Sequence, residues 1–242
     1  MLHTGLQTAL RVIYPPRCLA CGGLVEDDHG LCGACFAETP FITGLVCNLC
    51  GVPLPGSSET TECCDDCMSL GRPWTFGRVP LLYDGVGRKL VLALKHGDRH
   101  EIVKPAADWM ISALPTQLHP DTCVVPVPLS LTRLLTLRYN QSALLAHAIA
   151  SKLNLTYEPN ALTRTRRTAP LDGKSREARF QELTDAIQVN PKRAKALKDR
   201  PVLLVDDVMT SGATLAACAL SAHKAQAREI CVTVLARVAK AA

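Results

Sequence analysis

The run Val202-Leu-Leu-Val-Asp-Asp-Val-Met-Thr-Ser-Gly-Ala-Thr214 sets two adjacent carboxylates and a short loop of Thr, Ser and Gly directly behind four apolar residues. Each part has a chemical use. Thr210, Ser211, Gly212, Ala213 and Thr214 read as a turn that opens a helix, and the free N–H groups and dipole of a helix start make an anion site, above all for phosphate. Asp206 and Asp207 can then hold the hydroxyls of a ribose while the loop holds its phosphate. The element that must position them is a strand. Val202 to Val205 reads as a buried parallel strand, which puts the acidic pair at a carboxyl end, where open α/β sheets bind ligands. A plain structural turn, with Asp or Thr capping a helix, would need only one of these polar residues.

Cysteine spacing is the second chemical pattern. Cys18-x2-Cys21 and Cys32-x2-Cys35 are separated by ten residues, and Cys47-x2-Cys50 and Cys64-x2-Cys67 by thirteen. Each unit supplies four thiolates in two knuckles, as a tetrahedral structural zinc site requires, so two ions are expected. Gly22, Gly33 and Gly51 follow or fall inside the knuckles, where a tight turn suits glycine. Sequential pairing needs the shorter closures, and interleaving Cys18 and Cys21 with Cys47 and Cys50 is the alternative. A disulfide framework is the competing reading, but paired CxxC units read as zinc sites and residues 1–14 lack a secretory cleavage pattern. Cys63 abuts Cys64 without the x2 spacing to Cys67 and is the spare thiol. Cys123, Cys218 and Cys231 stand singly in apolar segments and read as core residues.

These patterns divide the 242 residues into an expected N-terminal helix and double zinc ribbon over 1–72 and an α/β domain over 73–242. A ribbon of about 50 residues supports little core, so metal must supply its folding energy. Charge divides in the same way. Residues 1–72 hold three Lys/Arg and eight Asp/Glu, a balance of −5, which leaves 24 basic and 14 acidic residues, or +10, in the remainder. An acidic ribbon is a poor nucleic-acid clamp. The basic remainder suits a polyphosphate ligand and, less specifically, a nucleic-acid surface. No apolar stretch has the length of a membrane span, and zinc knuckles with free thiols point to the cytoplasm.

Along the chain, Leu2, Leu6, Leu10 and Ile13 place one apolar face on a short helix that Pro15-Pro16 stops. Gly71-Arg72-Pro73 reads as a linker. A strand is expected over Val79 to Tyr83, a helix from Val86 to Lys95 broken by His96-Gly97-Asp98, and a second helix to about Leu114. Thr122 to Val127 reads as a strand, Gln141 to Leu153 as a helix, Ala213 to Ala225 as a helix and Glu229 to Leu235 as a last strand. Residues 163–181 are polar, Arg-rich and aperiodic, as a solvated loop or a lid would be. Strands alternating with helices argue a parallel α/β sheet.

The hydrophobic run, acidic pair and Thr-Ser-Gly-Ala-Thr loop resemble the phosphoribosyl-diphosphate signature of type I phosphoribosyltransferases. With the CxxC pairs, Leu94-Lys95-His96-Gly97-Asp98, Val125-Pro-Val-Pro-Leu129 and Tyr139-Asn-Gln-Ser142, nearly the whole chain resembles the ComF family, which includes GntX-like proteins. The resemblance implies a phosphoribosyltransferase-like sheet domain behind a small zinc-ribbon domain, Mg²⁺ bound with phosphoribosyl diphosphate, and a link to DNA uptake or competence in some members. It also implies that Lys95 is a pyrophosphate-loop lysine, with Asp98 in the same loop. A lysine there neutralises a leaving diphosphate as a point charge; as a plain structural residue it would end a helix favourably. The chain departs from the family where Arg138 takes an expected glycine position, where only Arg133 and Arg138 remain of several arginines, and where Leu171 and Glu182 replace Gln and Asn in a loop that keeps Arg164, Arg166, Arg167 and Arg179.

The resulting expectation is a pentosyl transferase whose catalytic residues are Asp206, Asp207 and Lys95, with backbone N–H groups at 210–214 on the 5′-phosphate. Two rivals belong to other classes. One is a sensor of phosphoribosyl diphosphate or a nucleotide that reports to a protein partner through the ribbons. The other is a single-stranded DNA accessory, supported by Lys192, Arg193, Lys195 and Lys198 but short of aromatic platforms, with ten Phe, Trp and Tyr in the chain.

Overall fold

The structure, a computed structural model, describes residues 14–26, 30–129, 139–165 and 186–239. The expected N-terminal helix, Arg133 and Arg138, and most of the Arg-rich loop, including Arg166, Arg167, Leu171, Arg179 and Glu182, lie outside the described residues.

Pro201–Met209 and Glu229–Arg237 are the two longest described strands and form the middle of the sheet. In chain order the elements are α1 (Gly33–Ala37), α2 (Asp65–Leu70), β1 (Phe76–Arg78), β2 (Leu81–Leu82), α3 (Gly85–His96), α4 (Val103–Ala113), β3 (Cys123–Pro126), α5 (Gln141–Leu153), β4 (Thr156–Tyr157), β5 (Leu162–Arg164), β6 (Ile187–Val189), β7 (Pro201–Met209), α6 (Ala213–Lys224) and β8 (Glu229–Arg237). The sheet runs β1-β8-β7-β3-β4, with β2 also on β8, and every pairing in it is parallel. β5 and β6 make a separate antiparallel pair. The α/β class with a parallel sheet is therefore as the sequence predicts.

Register explains the core. Along β7, Val202 and Leu204 enter one apolar cluster and Leu203 and Val205 the other, so both faces are covered, which requires the continuous apolar run seen in sequence. One face carries α6 through Leu215, Ala216, Ala219 and Ala222. The opposite face carries α3, α4 and α5 through Leu90, Leu94, Met110, Leu145 and Ile149. Small residues on α6 let it lie close to the sheet. From β3 the chain crosses through α5 to β4 on one side, while from β7 it crosses through α6 to β8 on the other. The boundary between β3 and β7 is thus a switch point, the place where such sheets open a crevice at their carboxyl ends.

The N-terminal part repeats one local design. Cys18 N–H donates to Gly23 and Gly22 N–H to Cys18; Cys47 N–H donates to Val52 and Gly51 N–H to Cys47. Gly22 and Gly51 have φ of +76° and +68°, the left-handed conformation a knuckle turn demands. Cys32 and Cys64 are then the N-cap residues of α1 and α2, whose next turns carry Cys35 and Cys67. Gly33 has no such φ and simply begins α1.

The segment expected as a linker is pinned. Gly71 closes α2 with φ of +57°, Trp74 is buried and donates its indole N–H to the Leu49 carbonyl at 2.6 Å, and Thr75 N–H reaches the Ile230 carbonyl.

Candidate functional site

The strand that carries the acidic pair extends to Met209, beyond the expected end at Val205, because β8 pairs with it as far as Met209 opposite Arg237. On the other side β3 stops at Pro126 opposite Val205. Asp206 and Asp207 therefore emerge where one neighbouring strand has ended. Lys95, in the last turn of α3, reaches this point from the other side of the crevice, with Nζ 3.1 Å from Asp207 Oδ2. The structure thus brings together Lys95, Asp206 and Asp207.

Ser142 joins them. Its hydroxyl donates to Asp206 Oδ1 at 2.7 Å, and Asp207 N–H donates to the same oxygen at 2.9 Å. Tyr139, Asn140 and Gln141 fasten the start of α5 to its surroundings: Tyr139 OH donates to the Leu94 carbonyl, Asn140 Nδ2 to the Val127 carbonyl and Gln141 Nε2 to the Lys95 carbonyl. One tetrapeptide thereby ties the end of α3, the end of β3 and the acidic pair. Sequence reasoning quoted these residues without giving them a role; a polar Tyr-Asn-Gln-Ser run opening an otherwise apolar helix was the available signal. Asp98 has φ of +49° and lies against Tyr139, whose phenol is pushed up by burial first and by the Asp98 charge second.

Removal from water, and then the charge of Asp207, raise the Asp206 carboxyl from 3.8 to about 7; the Ser142 hydrogen bond opposes the shift. Two adjacent carboxylates of which one resists ionisation can receive a cation or the hydroxyls of a ligand.

The loop that follows is short of partners. Gly212 is the N-cap of α6 with φ of +78° and provides no side-chain cap, and Ala213 N–H reaches Ser211 Oγ at 3.4 Å. The N–H groups of Ser211, Gly212 and Thr214 find no acceptor among the described residues. Their carbonyl neighbours, by contrast, are held. Arg237 Nη1 takes the carbonyls of Met209 and Thr210, and Arg72 Nη1 takes that of Ser211 at 2.8 Å. Unpaired N–H groups at a helix start are what an anion needs.

Each four-cysteine unit closes on itself. Cys18, Cys21, Cys32 and Cys35 form one group and Cys47, Cys50, Cys64 and Cys67 the other, and within each group the sulfurs lie within 4.8 Å of one another. The pairing is sequential, not interleaved, and Cys63 belongs to neither group. A Zn–S bond of about 2.3 Å implies tetrahedral S···S edges of about 3.8 Å; Cys21 to Cys32 is 3.8 Å and Cys50 to Cys64 is 3.7 Å. Protonation also fits a cation. The Cys50 thiol holds Cys47 down at about 4, while the same contact pushes Cys50 far above the ordinary thiol range. Four crowded thiols share protons in this way, and a divalent ion replaces those protons.

Residues 9–68 match the family described as the double zinc ribbon domain. The chain is 28% identical to DNA utilization protein YhgH of Escherichia coli (strain K12) over 208 residues, which is 84% of this chain and 88% of that protein. It is 27% identical to competence protein F of Haemophilus influenzae over 227 residues, 91% of this chain and 96% of the other. The chain is thus similar to competence protein F over nearly its whole length. The ComF-family resemblance carried by the cysteine pairs and the signature loop thus stands, with a double zinc ribbon at the N-terminal end. A solved structure, that of TT1426 from Thermus thermophilus, matches at 15% identity with a TM-score of 0.32, covering 60% of this chain and 86% of that one. Among the described residues no helix is long and apolar enough to cross a membrane.

Proposed function

We propose that this ComF homologue binds phosphoribosyl diphosphate with Mg²⁺ at Asp206, Asp207 and the 210–214 loop, and transfers or recognises the phosphoribosyl group. The observation that carries the reading is the meeting of Lys95 with Asp207 at 3.1 Å, beside a helix start where the N–H groups of Ser211, Gly212 and Thr214 have no acceptor among the described residues. In this reading Asp206 and Asp207 hold the ribose hydroxyls directly or through the waters of Mg²⁺. The N–H groups at 210–214 hold the 5′-phosphate. As the bond from C1 to the diphosphate opens, positive character on the ribose falls beside the acidic pair, and Lys95 leaves Asp207 to take the departing negative charge. The incoming nucleophile is a nitrogen base, which needs no dedicated protein base when its lone pair is already available. Residues 73–242 carry this chemistry and residues 1–72 the metal sites.

The names of its relatives, DNA utilization protein and competence protein F, support a biological setting of competence and DNA use for this chain. Within that setting the alternative is a sensor that binds the ligand without turnover and reports through the ribbons. Calorimetry with phosphoribosyl diphosphate and Mg²⁺ tests binding: Asp206→Asn with Asp207→Asn should weaken it at least about tenfold, since charge-assisted bonds contribute roughly 1.5–3 kcal/mol each. No Mg²⁺-dependent binding by wild type at millimolar ligand, or equal binding by the double variant, rejects the site. Release of labelled diphosphate against a panel of nucleobases separates transferase from sensor.

A further inference from the structure

Arg72 touches two centres at once. It follows α2, the helix bearing Cys67, and its Nε donates to Cys67 Sγ at 3.4 Å. Its Nη1 donates to the Ser211 carbonyl at 2.8 Å, 139 residues further along the chain. The guanidinium lies over the buried Trp74 ring, 5.4 Å from its centroid, and Trp74 is itself bonded to Leu49 in the second ribbon. A side chain at Gly212 would meet the same guanidinium, its Cβ 2.8 Å from Nη1. The buried Nη2 has no partner among the described residues. One planar group is thus wedged between a cysteine of the second metal cage and the carbonyl that sets the orientation of the anion loop.

We propose that Arg72 is a positioning residue for the anion loop, and that through it the metal-loaded state of the second ribbon controls ligand binding at 210–214. The inference deepens the phosphoribosyl reading of that loop and rests on it. The physics is that of a ligand partner outside the metal shell. A thiolate bound to zinc is fixed in place and keeps its negative charge, so it holds the Arg72 Nε in one position. The rigid fork of the guanidinium then fixes Nη1. Nη1 draws the Ser211 carbonyl toward the ribbon, and because peptide units are planar the N–H of Gly212 is turned the opposite way, toward the site. Arg237 does the same for Met209 and Thr210 from the sheet side. With the cage open, Cys67 is no longer held, Arg72 loses one of its two directed contacts, and the loop loses its set orientation. Coupling of this kind is reciprocal, so a ligand in the loop must also retain the metal.

Amide exchange on full-length protein reads the loop without any ligand, through the paired N–H groups of the segment, those of Asp207 and Ala213 among them. In Arg72→Ala, exchange of the peptide spanning 206–215 should rise by about tenfold, the loss expected from one hydrogen bond to a charged group, while peptides of β3 and α5 stay at wild-type rates. Arg72→Lys should behave like Arg72→Ala, because a point charge cannot serve both contacts. Wild type stripped of the second zinc by chelator should show the same rise. With phosphoribosyl diphosphate and Mg²⁺ present, zinc release from wild type should slow by about tenfold, and release from Arg72→Ala should not change. Unchanged exchange at 206–215 in both the variant and the stripped protein overturns the coupling. If exchange rises as stated but wild type binds no phosphoribosyl diphosphate, the coupling stands and the ligand reading falls.

Discussion

Asp206 should make ligand binding at the proposed site depend on pH. Its carboxyl is raised to about 7, by burial first and by the Asp207 charge second. The groups that face it are Asp207 beside it, Ser142 on α5 and Lys95 on α3, with the Cys218 thiol on α6 pushed up by burial and then by Asp206 itself. A group with a pKa of about 7 is roughly 9% ionised at pH 6 and roughly 91% at pH 8. Binding that requires the ionised carboxylate should therefore tighten by about tenfold between those two values. Asp206→Asn keeps an oxygen that can accept from Ser142 and from Asp207 N–H but removes the titration. Calorimetry of phosphoribosyl diphosphate with Mg²⁺ at pH 6, 7 and 8 should show a tenfold rise for wild type beyond that for the variant; titration of the ligand's own phosphates is common to both and drops out of the comparison. Proton release on binding at pH 6, read from buffers of different ionisation enthalpy, should approach one per ligand for this group. Stability should move the other way. An acid with a raised folded pKa holds more protons folded than unfolded between about pH 4 and 7, so its contribution falls as pH rises through that window. Urea unfolding of wild type relative to Asp206→Asn should show that fall. Equal pH dependence of binding in the two proteins would refute the reasoning.

Metal analysis of unoxidised protein should give about two zinc equivalents, as four thiolates per structural ion require; Cys64→Ser should lose one of them and Cys63→Ser neither. Lys95→Met leaves Asp207 without its partner across the crevice and should weaken diphosphate binding at least about tenfold while leaving binding of ribose 5-phosphate nearly unchanged, a contrast that competition calorimetry reads. Gly212→Ala should destabilise by about 1–2 kcal/mol from the left-handed φ, more where the new methyl meets Arg72, and urea midpoints of Gly212→Ala alone and combined with Arg72→Ala separate the two effects.

The parts of the site that lie close together in sequence were legible there. Val202 to Val205 announced a strand covered on both faces, and the acidic pair and Gly212 marked where that strand gives way to a turn and a helix. Spacing marked eight cysteines as four knuckles and set Cys63 aside, because a knuckle is a local turn with local hydrogen bonds; it favoured sequential pairing over interleaving, and the folded ribbons decide it. What escaped is what depends on partners far along the chain. No pattern near Val205 shows that β8 carries the strand on to Met209. Pro80 interrupts the stretch expected as one strand from Val79 to Tyr83, and two short strands on β8 replace it. Ser142 and Asp206, 64 positions apart, meet only because α5 packs over β7. Arg72 looked like part of a linker for the same reason: Ser211 and Cys67 give it meaning only once the fold is closed.

The order of the elements along the chain bears on how the protein is made. All eight ligand cysteines precede β1, and each cage closes over a short stretch, Cys18 to Cys35 and Cys47 to Cys67. The middle of the sheet comes much later: Phe76 of β1 waits for Cys231 of β8, and Cys123 of β3 for Val202 of β7. On the ribosome the ribbons can therefore take up metal while the sheet still lacks its centre, as local units fold before distant pairings. The apolar face formed by Cys47, Cys50 and Trp74, which belongs to the same cluster as Val232 and Leu215, stays uncovered until the late strands arrive. A nascent chain that meets too little zinc would present that face together with an open cage. Metal scarcity should thus reduce the yield of newly synthesised protein far more than it harms molecules already folded, a difference that pulse labelling in zinc-limited and zinc-restored cells would reveal.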